Sequence, residues 1–140
     1  GLKKGEYYIT YLIKHTIDNK SSIDLLANRA CLRILLTEIE NINPRILCTM
    51  GYYVTKSLFE EYKLQEKDRR LKDIHGNAYI VPAKTSYSTK YKGRKDDRPM
   101  RYIIPTWSPA VDNDIMKDDI MNDVKTIKAV QNLAPLLYSC

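Results

Sequence analysis

A basic loop and a strand-end turn are neighbours in the second half of the chain, and both carry side chains suited to binding an anion. The run from Lys84 to Arg98 is rich in lysine, arginine and tyrosine. The turn Thr106-Trp-Ser-Pro-Ala110 offers two hydroxyl groups and an indole ring, and it follows an apolar run that ends at Pro105. Open α/β sheets bind their ligands at the carboxyl ends of strands. The pattern predicts a site for a polyanion, and an ordinary strand exit beside a solvated loop fits the same residues.

Nucleic acid is the polyanion that these side chains suit best. Lysine and arginine neutralise phosphates, and Tyr87 and Tyr91 could stack on bases. The net charge of +6 permits such binding without requiring it. The residues that we expect to contact DNA phosphates are Lys84, Lys90, Lys92, Arg94, Lys95, Arg98 and Arg101.

Length and composition indicate one globular domain. The chain has 140 residues, of which 44% are hydrophobic and 29% charged. It contains neither a secretory signal nor an apolar run near the roughly 20 residues that span a bilayer. Its three cysteines are odd in number and scattered, which suits a reducing compartment. We therefore expect an intracellular location, in the cytoplasm or nucleoid, and no membrane partner.

Strand-like and helix-like segments alternate along the chain, which is typical of an α/β fold. β-branched and aromatic residues from Tyr7 to Ile13 predict a buried strand, and apolar residues then recur at helical spacing up to Ile42, before Pro44. Further predicted elements are strands at Arg45 to Met50, Ala78 to Val81 and Tyr102 to Ile104, and helices at Tyr52 to Tyr62 and Asp114 to Asn132. We predict one domain over residues 1–140, a three-layer αβα arrangement with a largely parallel central sheet.

A histidine and a pair of aspartates could also take part in chemistry, but we expect them to be ordinary surface residues. His75 precedes a turn glycine, so we expect it to be exposed. Asp119 and Asp123 are spaced i,i+4 on the last helix and are expected on its polar face.

Four segments occur in an order that matches a known family. Tyr8-Ile-Thr-Tyr-Leu-Ile-Lys-His15 is similar to the family strand Tyr-Ile-Thr-Asn-x-x-Lys-Cys, and Cys31 to Leu47 is similar to its Cys…Leu…Glu-Ile…Pro-x-Ile helix and strand. Met50-Gly51 fits its Leu-Gly turn, and Pro105-Thr-Trp-Ser-Pro-Ala110 stands where it carries Pro-Thr-x-His-Pro-Ser. In these segments the chain resembles the uracil-DNA glycosylase superfamily, most closely its iron–sulfur-containing branch.

The resemblance implies a position for each pocket residue and also shows departures from the family. Tyr11 stands where the family has the asparagine that reads the uracil edge, and Ser108 where it has the histidine that stabilises the uracil anion. Ser108 is therefore the residue in the catalytic position. The other pocket positions that the resemblance implies are Gly51, Thr106, Trp107, Pro109 and Ala110.

The cluster ligands and the water-activating motif of the family are not matched in this sequence. His15 replaces one cluster cysteine and Cys31 retains another, and two ligands do not hold an iron–sulfur cluster. We expect no metal and no other cofactor, with Cys31 a small buried side chain. The sequence also contains no Gly-Glu-x-Pro-Gly segment, so we expect the domain to lack the N-terminal part of the family fold.

These departures favour a degenerate, inactive uracil-DNA-glycosylase-like module that binds DNA in a repair or replication assembly. Its expected partners are DNA, other proteins of that assembly, or a chain that supplies the missing N-terminal half. Two alternatives stay open: an active uracil-DNA glycosylase whose N-terminal half is absent from this chain, and a protein-interaction module.

Overall fold

A computed structural model of the chain describes residue 3 and residues 5–14, 25–83, 100–108 and 117–133, with the backbone alone at residues 25–28 and 133. The chain divides into two compact units, of which the first ends at Ile42 and the second begins at Asn43. The helices are α1 (Leu25–Ile42), α2 (Tyr52–Glu61), α3 (Leu71–Ile74) and α4 (Lys117–Leu133), and the strands are β1 (Ile46–Met50), β2 (Tyr79–Pro82) and β3 (Met100–Thr106). A short 3₁₀ helix, Gln65–Asp68, precedes α3. No helix in the described part is long and apolar enough to cross a membrane.

The first unit contains α1 and the segment that precedes it in the sequence. Cys31, Leu35 and Ile39 recur every fourth residue along α1 and are buried, as an apolar helix stripe requires. The Lys14 ammonium lies 2.7 Å from the Glu38 carboxylate, and the Thr10 hydroxyl donates to the same oxygen at 2.7 Å. Hydrogen bonds from Lys14 and then from Thr10 lower the pKa of Glu38 below its ordinary value. This polar cluster holds the segment against α1.

The predicted strand at Tyr7 to Ile13 is wrong for the described residues. This segment has no strand geometry, and the side chains of Tyr8 and Tyr11 are 59% and 74% exposed. β-branched and aromatic residues favour a pleated, half-buried surface, but a strand also needs a neighbour that completes its backbone hydrogen bonds. No described strand pairs with this segment.

The second unit is built around a three-stranded sheet in the order β1-β3-β2. Strand β1 runs parallel to the central strand β3, with Leu47 opposite Ile103. Strand β2 runs antiparallel to β3, with Tyr79 opposite the same Ile103. The α/β class is confirmed, whereas neither a largely parallel sheet nor three layers is confirmed, because the described sheet has one pair of each kind.

The core of this unit covers one face of the sheet. Phe59 from α2 and Leu71 and Ile74 from α3 pack with Val81 and Ile103, and all five are buried. Val81 and Ile103 share a sheet face because side chains alternate along each strand. Helices α2 and α3 therefore stack on that face, and α4 contacts β3 and β1.

Arg101 is buried in β3, with only 1% of its surface exposed. Its guanidinium donates hydrogen bonds to the Tyr62 hydroxyl and to the Asn43 side-chain oxygen, each at 3.2 Å. A buried guanidinium directed at these partners does not reach a phosphate. We therefore remove Arg101 from the expected DNA contacts.

The turn after α3 is closely packed against α4. Gly76 has a φ of +70° and donates its N–H to the Pro105 carbonyl at 2.8 Å. A Cβ at Gly76 would lie 2.5 Å from the Asp123 Oδ1. That oxygen is itself held at 2.8 Å from His75 Nδ1, so it cannot move away freely. Gly76 is required both for its backbone conformation and for its lack of a side chain.

We expect Gly76→Ala to lower the free energy of unfolding by about 2–4 kcal/mol, because it combines left-handed backbone strain with overpacking. Urea denaturation followed by circular dichroism measures this loss. In an Asp123→Ala background the new Cβ no longer collides with a carboxylate. Gly76→Ala is therefore expected to lower the free energy of unfolding by clearly less in that background. Equal costs in the two backgrounds would show that the carboxylate does not restrict this position.

Candidate functional site

The carboxyl ends of β1 and β3 meet at one edge of the sheet because the two strands are parallel. The N–H of Gly51, the residue after β1, donates to the Thr106 carbonyl at the end of β3 at 3.0 Å. Gly51 has a φ of +95°, a conformation open to glycine and strained for other residues. The chain thus passes from β1 into α2 in a single residue while remaining bonded to β3.

Three threonine hydroxyls fix this turn from beneath. The Thr106 hydroxyl donates to the Thr49 carbonyl at 3.2 Å, and the Thr49 and Thr55 hydroxyls lie 2.7 Å apart. The Thr55 hydroxyl also donates to the Gly51 carbonyl at 2.7 Å. Thr49 and Thr55 are buried, so these bonds are shielded from water. The result is a rigid scaffold at the strand ends that includes no ionised group.

Ser108 lies next to Gly51 on this scaffold. Its Cβ is 3.6 Å from the position that a Cβ on Gly51 would take, and its side chain is half-buried. Gly51 is therefore brought together with two other predicted pocket positions, Thr106 and Ser108, which come from a distant part of the sequence. A side chain at Gly51 would occupy the space beside Ser108.

Trp107 precedes Ser108 and contacts His75, a histidine for which the sequence predicts an exposed position. The ring centroids of Trp107 and His75 are 5.3 Å apart. His75 Nδ1 lies 2.8 Å from the Asp123 carboxylate, and its Nε2 lies 4.0 Å from the Asp119 carboxylate. When Asp123 is ionised its carboxylate only accepts hydrogen bonds, and Nδ1 is then the donor of this bond. The expectation that His75 is exposed is wrong, since its side chain is 17% exposed.

Asp123 lies deeper than its expected place on the polar face of the last helix. Its side chain is 2% exposed. Within the described part of the chain, its Oδ2 and the Trp107 indole Nε1 are buried without a hydrogen-bond partner. His75 and Asp123 are 48 positions apart, so local sequence patterns do not predict their contact.

The remaining predicted site residues are placed as follows. Tyr11 is in the first unit and is 74% exposed. Cys31, in the same unit, is buried and accepts the Lys14 N–H at 3.4 Å. Among the described residues, no three histidine, cysteine or acidic side chains are grouped as a metal site would need. The predicted residues that lie outside the described part are His15, Lys84, Tyr87, Lys90, Tyr91, Lys92, Arg94, Lys95, Arg98, Pro109 and Ala110.

Comparison with known protein families identifies the superfamily. A family model, the uracil DNA glycosylase superfamily, matches residues 1–125. The chain belongs to this superfamily. No curated protein matches it. The match extends from the first unit through β3 and into α4, so it includes both Gly51 and Ser108. In this uracil-DNA-glycosylase-like chain, the resemblance seen in the sequence is confirmed at the level of the superfamily.

We expect Thr106→Val to lower the free energy of unfolding by about 1–3 kcal/mol, because a buried carbonyl at Thr49 loses its hydroxyl donor while side-chain shape is kept. Urea denaturation measures the change. Thr37→Val is the matched control: Thr37 is an exposed residue whose hydroxyl bonds the Arg33 carbonyl, and we expect a change below about 0.5 kcal/mol. If Thr106→Val lowers the free energy of unfolding no more than Thr37→Val does, the Thr106 hydroxyl does not support the strand-end turn.

Proposed function

We propose that this chain is a catalytically inactive uracil-DNA-glycosylase-like module that binds DNA within a DNA repair or replication assembly. The observation that carries the proposal is the strand-end scaffold. Its backbone and threonine hydroxyls hold Gly51 and Ser108 together, while the side chain at the position of the family histidine is a serine. The framework of the site is kept and its electrophilic group is lost.

The chemistry of uracil removal explains why this loss matters. Breaking the N-glycosidic bond leaves negative charge on the departing base, and the enzyme must read and stabilise that flipped base. Losing one preorganised donor at such an anion typically costs about 100- to 1,000-fold in rate. Ser108 has a shorter side chain than histidine and carries no imidazole. Tyr11 likewise cannot present the paired donor and acceptor of an asparagine amide. Both changes weaken the same step.

DNA binding needs less than catalysis. The hydroxyl of Ser108 and the indole of Trp107 lie at the strand ends, and the basic loop that precedes β3 supplies cations for phosphates. With Arg101 set aside, the proposed phosphate contacts are Lys84, Lys90, Lys92, Arg94, Lys95 and Arg98. The other proposed parts of the site are Tyr11, Gly51, Thr106, Pro109 and Ala110. We propose that the chain uses no cofactor. His15 and Cys31 would then be vestigial residues at two positions of the family's cluster ligands.

The proposal extends to the fold of the whole module. We propose a three-layer αβα arrangement with a largely parallel sheet, of which the pair β1 and β3 is one part. The parallel direction of these two strands supports it.

We expect the purified protein to bind a DNA duplex with an affinity that falls steeply as salt rises. Six phosphate contacts correspond to a slope of about −5 in a plot of log affinity against log salt concentration. Fluorescence anisotropy with a labelled duplex measures it from low salt upward.

A matched pair of variants locates these contacts. Removing Lys90 and Lys92 together as alanines should reduce the slope by about 2 units. Lys128→Ala, at an exposed position on α4, should leave it unchanged. No binding at low salt, or a flat salt response, would contradict the DNA-binding proposal and favour a protein-interaction module.

We expect neither the wild type nor Ser108→His to release uracil from a uracil-containing DNA strand. Restoring the imidazole leaves Tyr11 in place of the base-reading asparagine and supplies no water-activating motif. Release of free uracil, measured by chromatography against a no-protein control, tests this. Turnover by the wild type would contradict the proposal and favour the active glycosylase alternative.

A further inference from the structure

Bulky apolar side chains are exposed on both sides of Gly51. Tyr53 is 75% exposed, Met50 is 56% exposed and Tyr52 is 39% exposed. They lie where β1 passes into α2, beside the turn that also holds Ser108. None of the three belongs to the buried core on the sheet face. Packing of the core therefore does not explain why these apolar side chains occupy these positions.

The two tyrosines form an ordered pair. Their ring centroids are 5.6 Å apart and their planes are inclined at 70°, an edge-to-face arrangement. Such contacts are favourable and fix ring orientation. Tyr52, the less exposed of the two, braces Tyr53, whose ring remains mostly open to solvent. A ring that is already oriented loses little conformational freedom when a ligand covers it.

The surroundings of Tyr53 suit an anionic ligand with a planar group. The first turn of α2 contains no acidic residue, and its amino end carries the positive end of the helix dipole. Lys56 is three residues after Tyr53, one helical turn away, and Glu60 lies a further turn along. A nucleotide combines the two required features, because its base is planar and its phosphate is negative.

We propose that Tyr53, braced by Tyr52, stacks on an unpaired base of a DNA strand that crosses the turn at Gly51. The inference rests on the proposed DNA-binding function and adds a substrate class to it, namely DNA with exposed bases. Bases in a duplex are covered by their neighbours, whereas bases of a single strand offer a free face. Stacking tolerates every base, so the preference is for strandedness and not for sequence.

The test compares a fifteen-nucleotide oligothymidylate with a strand of the same length made of abasic sites, which keeps the phosphates and removes the bases. The wild type is expected to bind the thymidine strand about 5- to 100-fold more tightly than the abasic strand. Tyr53→Ala should lose most of that difference, and Tyr53→Phe, which keeps the ring, should retain it. Tyr8→Ala, which removes another exposed tyrosine ring, should also retain it.

Salt dependence separates stacking from charge. Tyr53→Ala should weaken oligothymidylate binding at every salt concentration without changing the slope, because no phosphate contact is removed. Its urea midpoint should equal that of the wild type, since the ring is outside the core.

The outcomes distinguish this inference from the function on which it rests. Salt-dependent binding of the wild type to both strands with equal affinity would overturn stacking and leave the DNA-binding function standing. Equal losses for duplex and oligothymidylate in Tyr53→Ala would also overturn it. So would a change from dimer to monomer in Tyr53→Ala with unchanged DNA affinity, since the patch would then be an interface between copies. No binding of any strand by the wild type would contradict both proposals.

Discussion

The parallel pairing of β1 with β3 is the constraint on which the candidate site depends. Its register places Leu47 beside Ile103 in the core and Met50 beside Thr106 at the strand ends. A shift of one residue would turn each side chain of β1 to the opposite face of the sheet, so Leu47 would leave the core. The burial of a few apolar side chains thus fixes the register, and the register brings the chain after each strand to the same edge. Gly51 and Ser108 are neighbours for this reason.

Two different kinds of polar interaction complete the structure around that edge. The threonine network under Gly51 is made of neutral groups whose donors and acceptors satisfy each other at low cost of desolvation. The His75–Asp123 contact buries a carboxylate that has one partner and one unpaired oxygen among the described residues. A buried pair of this kind adds little net stability, but removing one partner is costly because it leaves the other unpaired. Its effect is to specify where α4 lies against the turn at Gly76.

Local sequence patterns determine which parts of the fold and of the candidate site could be predicted from the sequence. Strand β1, the turn at Gly51, helix α2 and the end of α1 before Pro44 follow from periodicity and from the special backbone of glycine and proline. Propensity alone predicts a strand at Tyr7, and propensity does not show whether a partner strand exists. Nor does local sequence show that Arg101 turns inward to Tyr62, or that His75 meets Asp123 from far along the chain. The family motifs imply that Gly51 and Ser108 belong to one pocket, because motif order carries the long-range information that periodicity lacks.

Under the proposed function, the strand-end turn keeps the framework of the site while the catalytic side chain is lost. Hydrogen bonds among backbone atoms and threonine hydroxyls of Thr49, Gly51, Thr55 and Thr106 hold the turn. These bonds form in a chain that carries serine at position 108, so the turn does not depend on an imidazole there. The Tyr53 ring lies outside the buried core and is 75% exposed, so it contributes little to folding. A large exposed ring next to this turn is better explained by contact with a ligand than by a contribution to stability, which supports the proposal that the turn binds DNA without cleaving a bond.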